Sequence, residues 1–140
     1  RFHSVKNGID SITEKGVVAV HDAVRPLVTP KMIEDGFILA ENSGSAIPII
    51  SVRDSMRMVS KEGYQRVDRE DYKMVQTPQV FWKDKLLQAI ASSEKSNLEM
   101  TDESSMMEYL NFHISVVKGD VNNFKITSSE DWERAENINL

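Results

Sequence analysis

The stretch Val17-Val18-Ala19-Val20-His21-Asp22-Ala23-Val24-Arg25-Pro26, residues 17–26, decides how the rest of the chain is read. Four apolar residues follow Gly16 without a break, a run too short for a helix. Such a run fits a strand buried on both faces, as in a parallel sheet. It then ends in an imidazole, a carboxylate, a guanidinium and a proline. In open α/β sheets ligands bind outside the carboxyl ends of the strands, so the polar cluster stands where that architecture puts its chemistry. Asp22 carries two readings at this level. It is a turn aspartate capping nearby amides, or a carboxylate in a ligand cleft near a metal or a ribose. Arg25, placed just before Pro26, reads as an ion-pair residue bracing a rigid bend. His21 reads as a satisfied histidine at the strand edge.

Outward from this strand, helices and strands alternate. Residues 2–13 place Val5, Ile9 and Ile12 at helical spacing. Thr29-Pro30 opens a helix, with Thr29 as N-cap and Pro30 at the first helical position. Met32, Ile33, Phe37, Leu39 and Ala40 supply its apolar face, and Asn42 to Gly44 stop it. Residues 46–50 read as the next strand, with Pro48 favouring an edge or a bulge. After Gln76-Thr77-Pro78-Gln79, residues 83–93 predict a helix. Thr101 is a candidate N-cap for another, with Asp102 and Glu103 in its first turn complementing the helix dipole. Residues 114–117 read as a strand, and Ser128 with Asp131 as a capping box. This alternation predicts an α/β fold with a largely parallel sheet.

Residues 52–73 differ in character. Two short extended segments, 54–59 and 65–69, flank Lys61-Glu62-Gly63, a hairpin turn. Met56 and Met58 fall on one face of the first segment. The hairpin has too few apolar residues for a core of its own, and isolated hairpins are marginal in water. It is expected to lean on something, with a second subunit as the candidate.

Composition narrows the function classes. The 140 residues are 40% hydrophobic and 28% charged, so the chain can bury a core. The absence of cysteine excludes disulfides, thiolate metal sites and cysteine nucleophiles. A net charge of −5 argues against general nucleic-acid binding, while a few Lys and Arg residues can still hold an anionic small ligand. The apolar runs are far shorter than a membrane span, no signal-peptide pattern appears, and a cytoplasmic protein is expected. Arg1-Phe2-His3-Ser4 reads as mid-domain sequence, so a fragment of a longer chain is expected. His3, His21 and His113 lack zinc-site spacing, and neither a P-loop nor a Rossmann glycine fingerprint occurs.

Two further polar clusters follow predicted strands, Asp54-Ser55 and Asn123-Phe124-Lys125-Ile126-Thr127. Arg69 and Lys125 are candidates for phosphate, one as a fork and one as a point charge. Either is otherwise a solvated surface charge. Thr77 and Thr101 can donate hydroxyl hydrogen bonds, with turn and capping roles as the alternative.

Six short motifs occur in order: VHDAVRP (20–26), VRDSM (52–56), VDR (67–69), QTPQVF (76–81), TDESS (101–105) and NFKIT (123–127). Together they resemble the 2-C-methyl-D-erythritol 4-phosphate cytidylyltransferases of non-mevalonate isoprenoid synthesis. The related ribitol-5-phosphate enzymes share H-D-x-x-R-P and Q-T-P-Q. The resemblance implies a Rossmann-like nucleotidyltransferase sheet with flanking helices and a protruding hairpin dimerisation arm over 52–73. It implies transfer of CMP from CTP to a sugar-alcohol phosphate with release of pyrophosphate, assisted by Mg²⁺ held mainly by the nucleotide phosphates. Residue by residue, Asp22 matches the family aspartate near ribose and acceptor, and Lys125 the lysine of the acceptor phosphate region. Thr77 and Thr101 match threonines lining the acceptor site. Ser55, where the family often has threonine, and Arg69 match residues that reach the acceptor from a homodimer partner's arm. Ser4, with Asp22 and Ala23, falls on the nucleotide side. The Gly-rich loop for the triphosphate is absent from these residues, so 1–140 are expected to form part of such a domain and to be inactive alone. The remaining alternatives are a ribitol or other polyol phosphate as acceptor, and a non-catalytic binding domain of the same fold.

Overall fold

The computed structural model describes residues 2–96 and 102–138. The elements in order are α1 (Phe2–Asp10), β1 (Val17–Val20), α2 (Pro30–Ser43), β2 (Ser45–Ser51), β3 (Arg57–Ser60), β4 (Gly63–Arg66), β5 (Lys73–Val75), β6 (Gln79–Trp82), α3 (Lys83–Ser96), α4 (Glu103–Tyr109), β7 (Val116–Lys118) and α5 (Ser129–Glu136). The α/β class and the separate hairpin are as expected.

Alternation along the strands builds two cores. Ile47 and Phe81 face the layer formed by α1, α3 and α4, packing with Ile9, Leu86, Ile90, Met106 and Met107. Their neighbours Ala46 and Val80 face α2 and pack with Ala40 and Phe37. Phe81, Leu86 and Ile90 are almost wholly buried, each worth about 1.5–3 kcal/mol over an exposed position. Gly36 lets α2 lie close on the sheet, since a Cβ there would meet Val80 Cγ2 at 3.1 Å. The ends of α2 form as its residues dictate. Thr29 Oγ1 accepts from Met32 N, and Gly44 closes the helix at φ 99°.

The sheet is mixed. β6 lies between β1 and β2, antiparallel to both, and β7 runs parallel along the other side of β2. β5 joins β2 antiparallel, so of these pairings only β2–β7 has the parallel sense expected from the alternation. The reason is local: β5 and β6 come from one returning segment with no crossover helix between them. β1 has β6 as its only described partner and is half-buried, with Ala19 exposed, instead of buried on both faces. Pro48 lies in β2, the central strand, instead of at an edge. Ala46 pairs with Val80 and Ile49 with Val75. Three steps on β2 thus face five on its partner, and the surplus bulges out as Gln76-Thr77-Pro78. Pro48 stands opposite that bulge, where no ladder donor is required of it, while its carbonyl accepts from Gln76 N at 2.8 Å. The Thr77-Pro78 bond is cis.

Several boundaries move. The hairpin strands are shorter than the expected 54–59 and 65–69, and Arg69 opens a 3-10 turn capped by Asp68. The first helix ends at Asp10, and α3 runs on to Ser96. The cap of α4 is Asp102, not Thr101: its extended backbone precedes Glu103 and its carboxylate accepts from Ser105 N. Thr101 itself lies outside the described residues. At α5 both halves of the Ser128–Asp131 capping box form.

Candidate active site

β1 delivers His21 and Asp22 to one end of the sheet. A tight turn, with Arg25 N donating to Asp22 O, folds the chain back at once. The Gln76–Pro78 bulge arrives at the same end from β5, and the 120–126 loop from β7. Asp22, Arg25, Gln76, Thr77 and Lys125 thereby line one open cavity of about 270 Å³, with Gln79 and Asp102 on its far wall.

Asp22 is the hub of the near wall. Its Oδ2 accepts from Arg25 Nε at 3.2 Å and lies 3.7 Å from Lys125 Nζ. The Asp22 and Arg25 side chains are each only 13% exposed, whereas that of Lys125 is 48% exposed. The arginine is therefore the sheltered partner and the lysine the solvent-facing one. Arg25 Nη1 also donates to Asn123 O at 2.8 Å, tying the 22–25 turn to the 120–126 loop. Ile126 N to Val24 O at 2.9 Å adds a backbone tie between the same loops.

The bulge is held from below. Gln76 Nε2 donates to Asp120 O and Asn123 O, its Oε1 accepts from Asp120 N, and Asn123 Nδ2 donates to Thr77 O. Gly119 is required here, because a Cβ would stand 2.5 Å from Gln76 Oε1. On the far wall Gln79 Nε2 donates to Asp102 Oδ2, and its Oε1 accepts from Ser104 N. Burial pushes the Asp102 carboxyl up, but hydrogen bonds from Ser105, Gln79 and Ser104 outweigh it and hold the group below its ordinary value. Among the described residues no three His, Asp or Glu groups converge on a metal position.

Of the residues singled out in the sequence, Asp22, Thr77 and Lys125 come together in this cavity. Ser4 lies on α1, beside a groove that β1 lines as far as His21, and Ala23 is exposed in the turn. Ser55 and Arg69 share a cleft on the hairpin with Arg57, Arg66 and Asp68, separate from the cavity that Asp22 lines. Arg69 Nη1 donates to Arg53 O at 2.6 Å. The bracing read for Arg25 is realised, and it reaches the cavity as well. Sequence reasoning missed Gln76, Gln79, Asp102 and Asn123. All four sit inside the quoted motifs, beside the residues singled out.

The profile of the 2-C-methyl-D-erythritol 4-phosphate cytidylyltransferase family matches residues 1–139. The chain belongs to this family. It is 39% identical over 136 residues to the enzyme of that name from Phocaeicola vulgatus, and 40% identical over 135 residues to the one from Bacteroides fragilis. These alignments take in 97% and 96% of the chain and 61% of each relative, so the chain spans about three fifths of their length. The crystal structure of the Thermus thermophilus enzyme superposes with a TM-score of 0.89 at 32% identity, covering 96% of this chain and 67% of that one. Among the described residues no helix is long and apolar enough to cross a membrane.

Proposed function

We propose that the full-length protein transfers CMP from CTP to 2-C-methyl-D-erythritol 4-phosphate and releases pyrophosphate. The observation that carries this reading is the convergence of Asp22, Thr77 and Lys125 on one cavity in a chain of this family. An acceptor phosphate oxygen attacks the α-phosphorus of CTP; the new O–P bond forms, the bond to the β-phosphate oxygen breaks, and pyrophosphate leaves with the electron pair. A phosphate monoester with a second pKa near ~6 is already mostly dianionic at neutral pH, so no general base is needed. The burden falls on bringing anions together and neutralising charge. Lys125, loosely held 3.7 Å from Asp22, moves onto the incoming phosphate at little cost. Asp22 keeps both cations at the wall until then. Mg²⁺ is proposed to enter with the nucleotide and to be held mainly by its phosphates.

The protein is further proposed to be a cytoplasmic homodimer in which the 52–73 arm of one copy closes over the cavity of the other. Supporting this, Val59 and Tyr64 pair across the hairpin at 73% and 79% exposure, with no core beneath them. Ser55 and Arg69 sit on that arm, away from their own chain's cavity.

The test is pyrophosphate release by the full-length protein from CTP with each of two acceptors, 2-C-methyl-D-erythritol 4-phosphate and ribitol 5-phosphate. Preference for the first is expected. Preference for the second overturns the acceptor, and release with neither overturns the enzyme reading in favour of a binding domain.

A further inference from the structure

His21 has no part in the step above, yet it is bonded on both ring nitrogens. Its Nε2 lies 3.0 Å from Arg25 O. A carbonyl only accepts, so Nε2 carries the proton, and in the neutral imidazole Nδ1 is then the acceptor. Thr77 Oγ1 lies 2.9 Å from that Nδ1 and must donate to it. The same Oγ1 accepts from Asp22 N at 3.0 Å. The Thr77 hydroxyl proton is thus committed to His21, and one of its two lone pairs to Asp22. The other lone pair is what it has left to present. Thr77 is 4% exposed, and it is one of the residues that line the cavity with Lys125.

We infer that His21 is a positioning residue that holds Thr77 as a hydrogen-bond acceptor, so that Thr77 reads a hydroxyl of the acceptor substrate and not its phosphate. An anion needs a donor, and this threonine has none to give while His21 is neutral. The phosphate is left to Lys125. The division of labour accounts for a threonine and a lysine lining one cavity: one selects a polyol chain, the other an anionic end. The inference rests on the proposed acceptor being a polyol phosphate.

The test uses the full-length protein. Nitrogen-15 shifts at pH 8 read the tautomer of His21 directly and without turnover. Protonated Nε2 with bare Nδ1 is expected, and the reverse overturns the inference whatever the enzyme does. In kinetics, His21→Ala is expected to raise the acceptor KM about tenfold with the CTP KM unchanged, one neutral hydrogen bond having been lost. His21→Asn, which restores an acceptor near Nδ1, should recover most of it. In a Thr77→Val background His21→Ala should then add nothing, because it acts through the hydroxyl. Inorganic phosphate should compete equally well against wild type and Thr77→Val. Additive effects of the two substitutions, or a tenfold loss of phosphate competition in Thr77→Val, overturn the assignment. An inactive wild-type protein fails the proposed function, and the nitrogen-15 measurement still judges the geometry.

Discussion

Replacing Arg25 tests whether the end of β1 is held by its own turn or by the loop nearly a hundred residues later. Its guanidinium bonds Asp22 Oδ2 through Nε at 3.2 Å and Asn123 O through Nη1 at 2.8 Å. Both partners of the ion pair are 13% exposed. Removing one member of a buried pair costs about 3–5 kcal/mol, because the other charge is stranded. Here Asp22 keeps Lys125 at 3.7 Å and some water, which lowers the figure for Arg25→Ala to about 2–4 kcal/mol. Arg25→Lys keeps the charge, but its single ammonium cannot span both acceptors. It should forfeit one charged hydrogen bond and lie between wild type and the alanine variant. Urea unfolding measures this as a fall in midpoint at constant slope. The double variant Arg25→Ala/Asp22→Asn should be about 1–3 kcal/mol less unstable than the two single changes summed, since they remove the same contact. A loss below about 0.5 kcal/mol for Arg25→Ala, the range of an ordinary surface change, or strict additivity with Asp22→Asn, refutes the reasoning.

The same chemical change should have opposite signs at two glycines. Gly119→Ala forces a Cβ against Gln76 Oε1 and Ile50 Cγ2 and should cost about 1–3 kcal/mol. Gly8→Ala, in open space on α1, should gain about 0.4–1 kcal/mol; thermal melts distinguish them. Asp102 has its folded pKa depressed, so its contribution is complete above the unfolded carboxylate value near ~3.9 and is lost as pH falls through the lower folded value. Asp102→Asn should therefore flatten the fall in Tm below about pH 4, measured in an acid titration series. Lys125→Met should cut kcat of the full-length protein by about a hundredfold or more, on the scale of losing one charge-stabilising contact, with the fold intact by circular dichroism. Val59→Lys/Tyr64→Lys, on the exposed hairpin pair, should shift the protein toward monomer in analytical ultracentrifugation, and Arg69→Ala should raise the acceptor KM more than the CTP KM.

Helices were the most legible part of the sequence because their ends are written in single residues. Thr29-Pro30 and Gly44 bound α2, and Ser128 with Asp131 caps α5, each through bonds made within a few residues. The cap of α4 fell one residue from its expected place because Thr and Asp are both capping residue types, and the start of the helix at Glu103 makes Asp102 the cap. Strand environments were less legible. A run such as 17–20 states that burial is available, not which side a neighbour takes. Pro48 in a central strand contradicts local preference until the surplus residues opposite it are counted across the ladder.

By itself the sequence determined the α/β class and the hairpin as a unit without a core, because apolar period and turn chemistry are properties of contiguous residues; it singled out Asp22, Thr77 and Lys125 only through the resemblance carried by the order of its motifs, and the fold brings those three to one cavity. The tertiary structure decided what those residues do to one another. Whether Asp22 meets Arg25 alone or Lys125 as well, and whether the Thr77 hydroxyl donates or accepts, depends on which lone pairs and protons face each other across separations of 55 residues and more. Those separations are closed by the bulge at Gln76–Pro78 and by the return of the 120–126 loop. A hydrogen bond is set within a few tenths of an ångström, and no local preference in the chain carries that precision over such a distance.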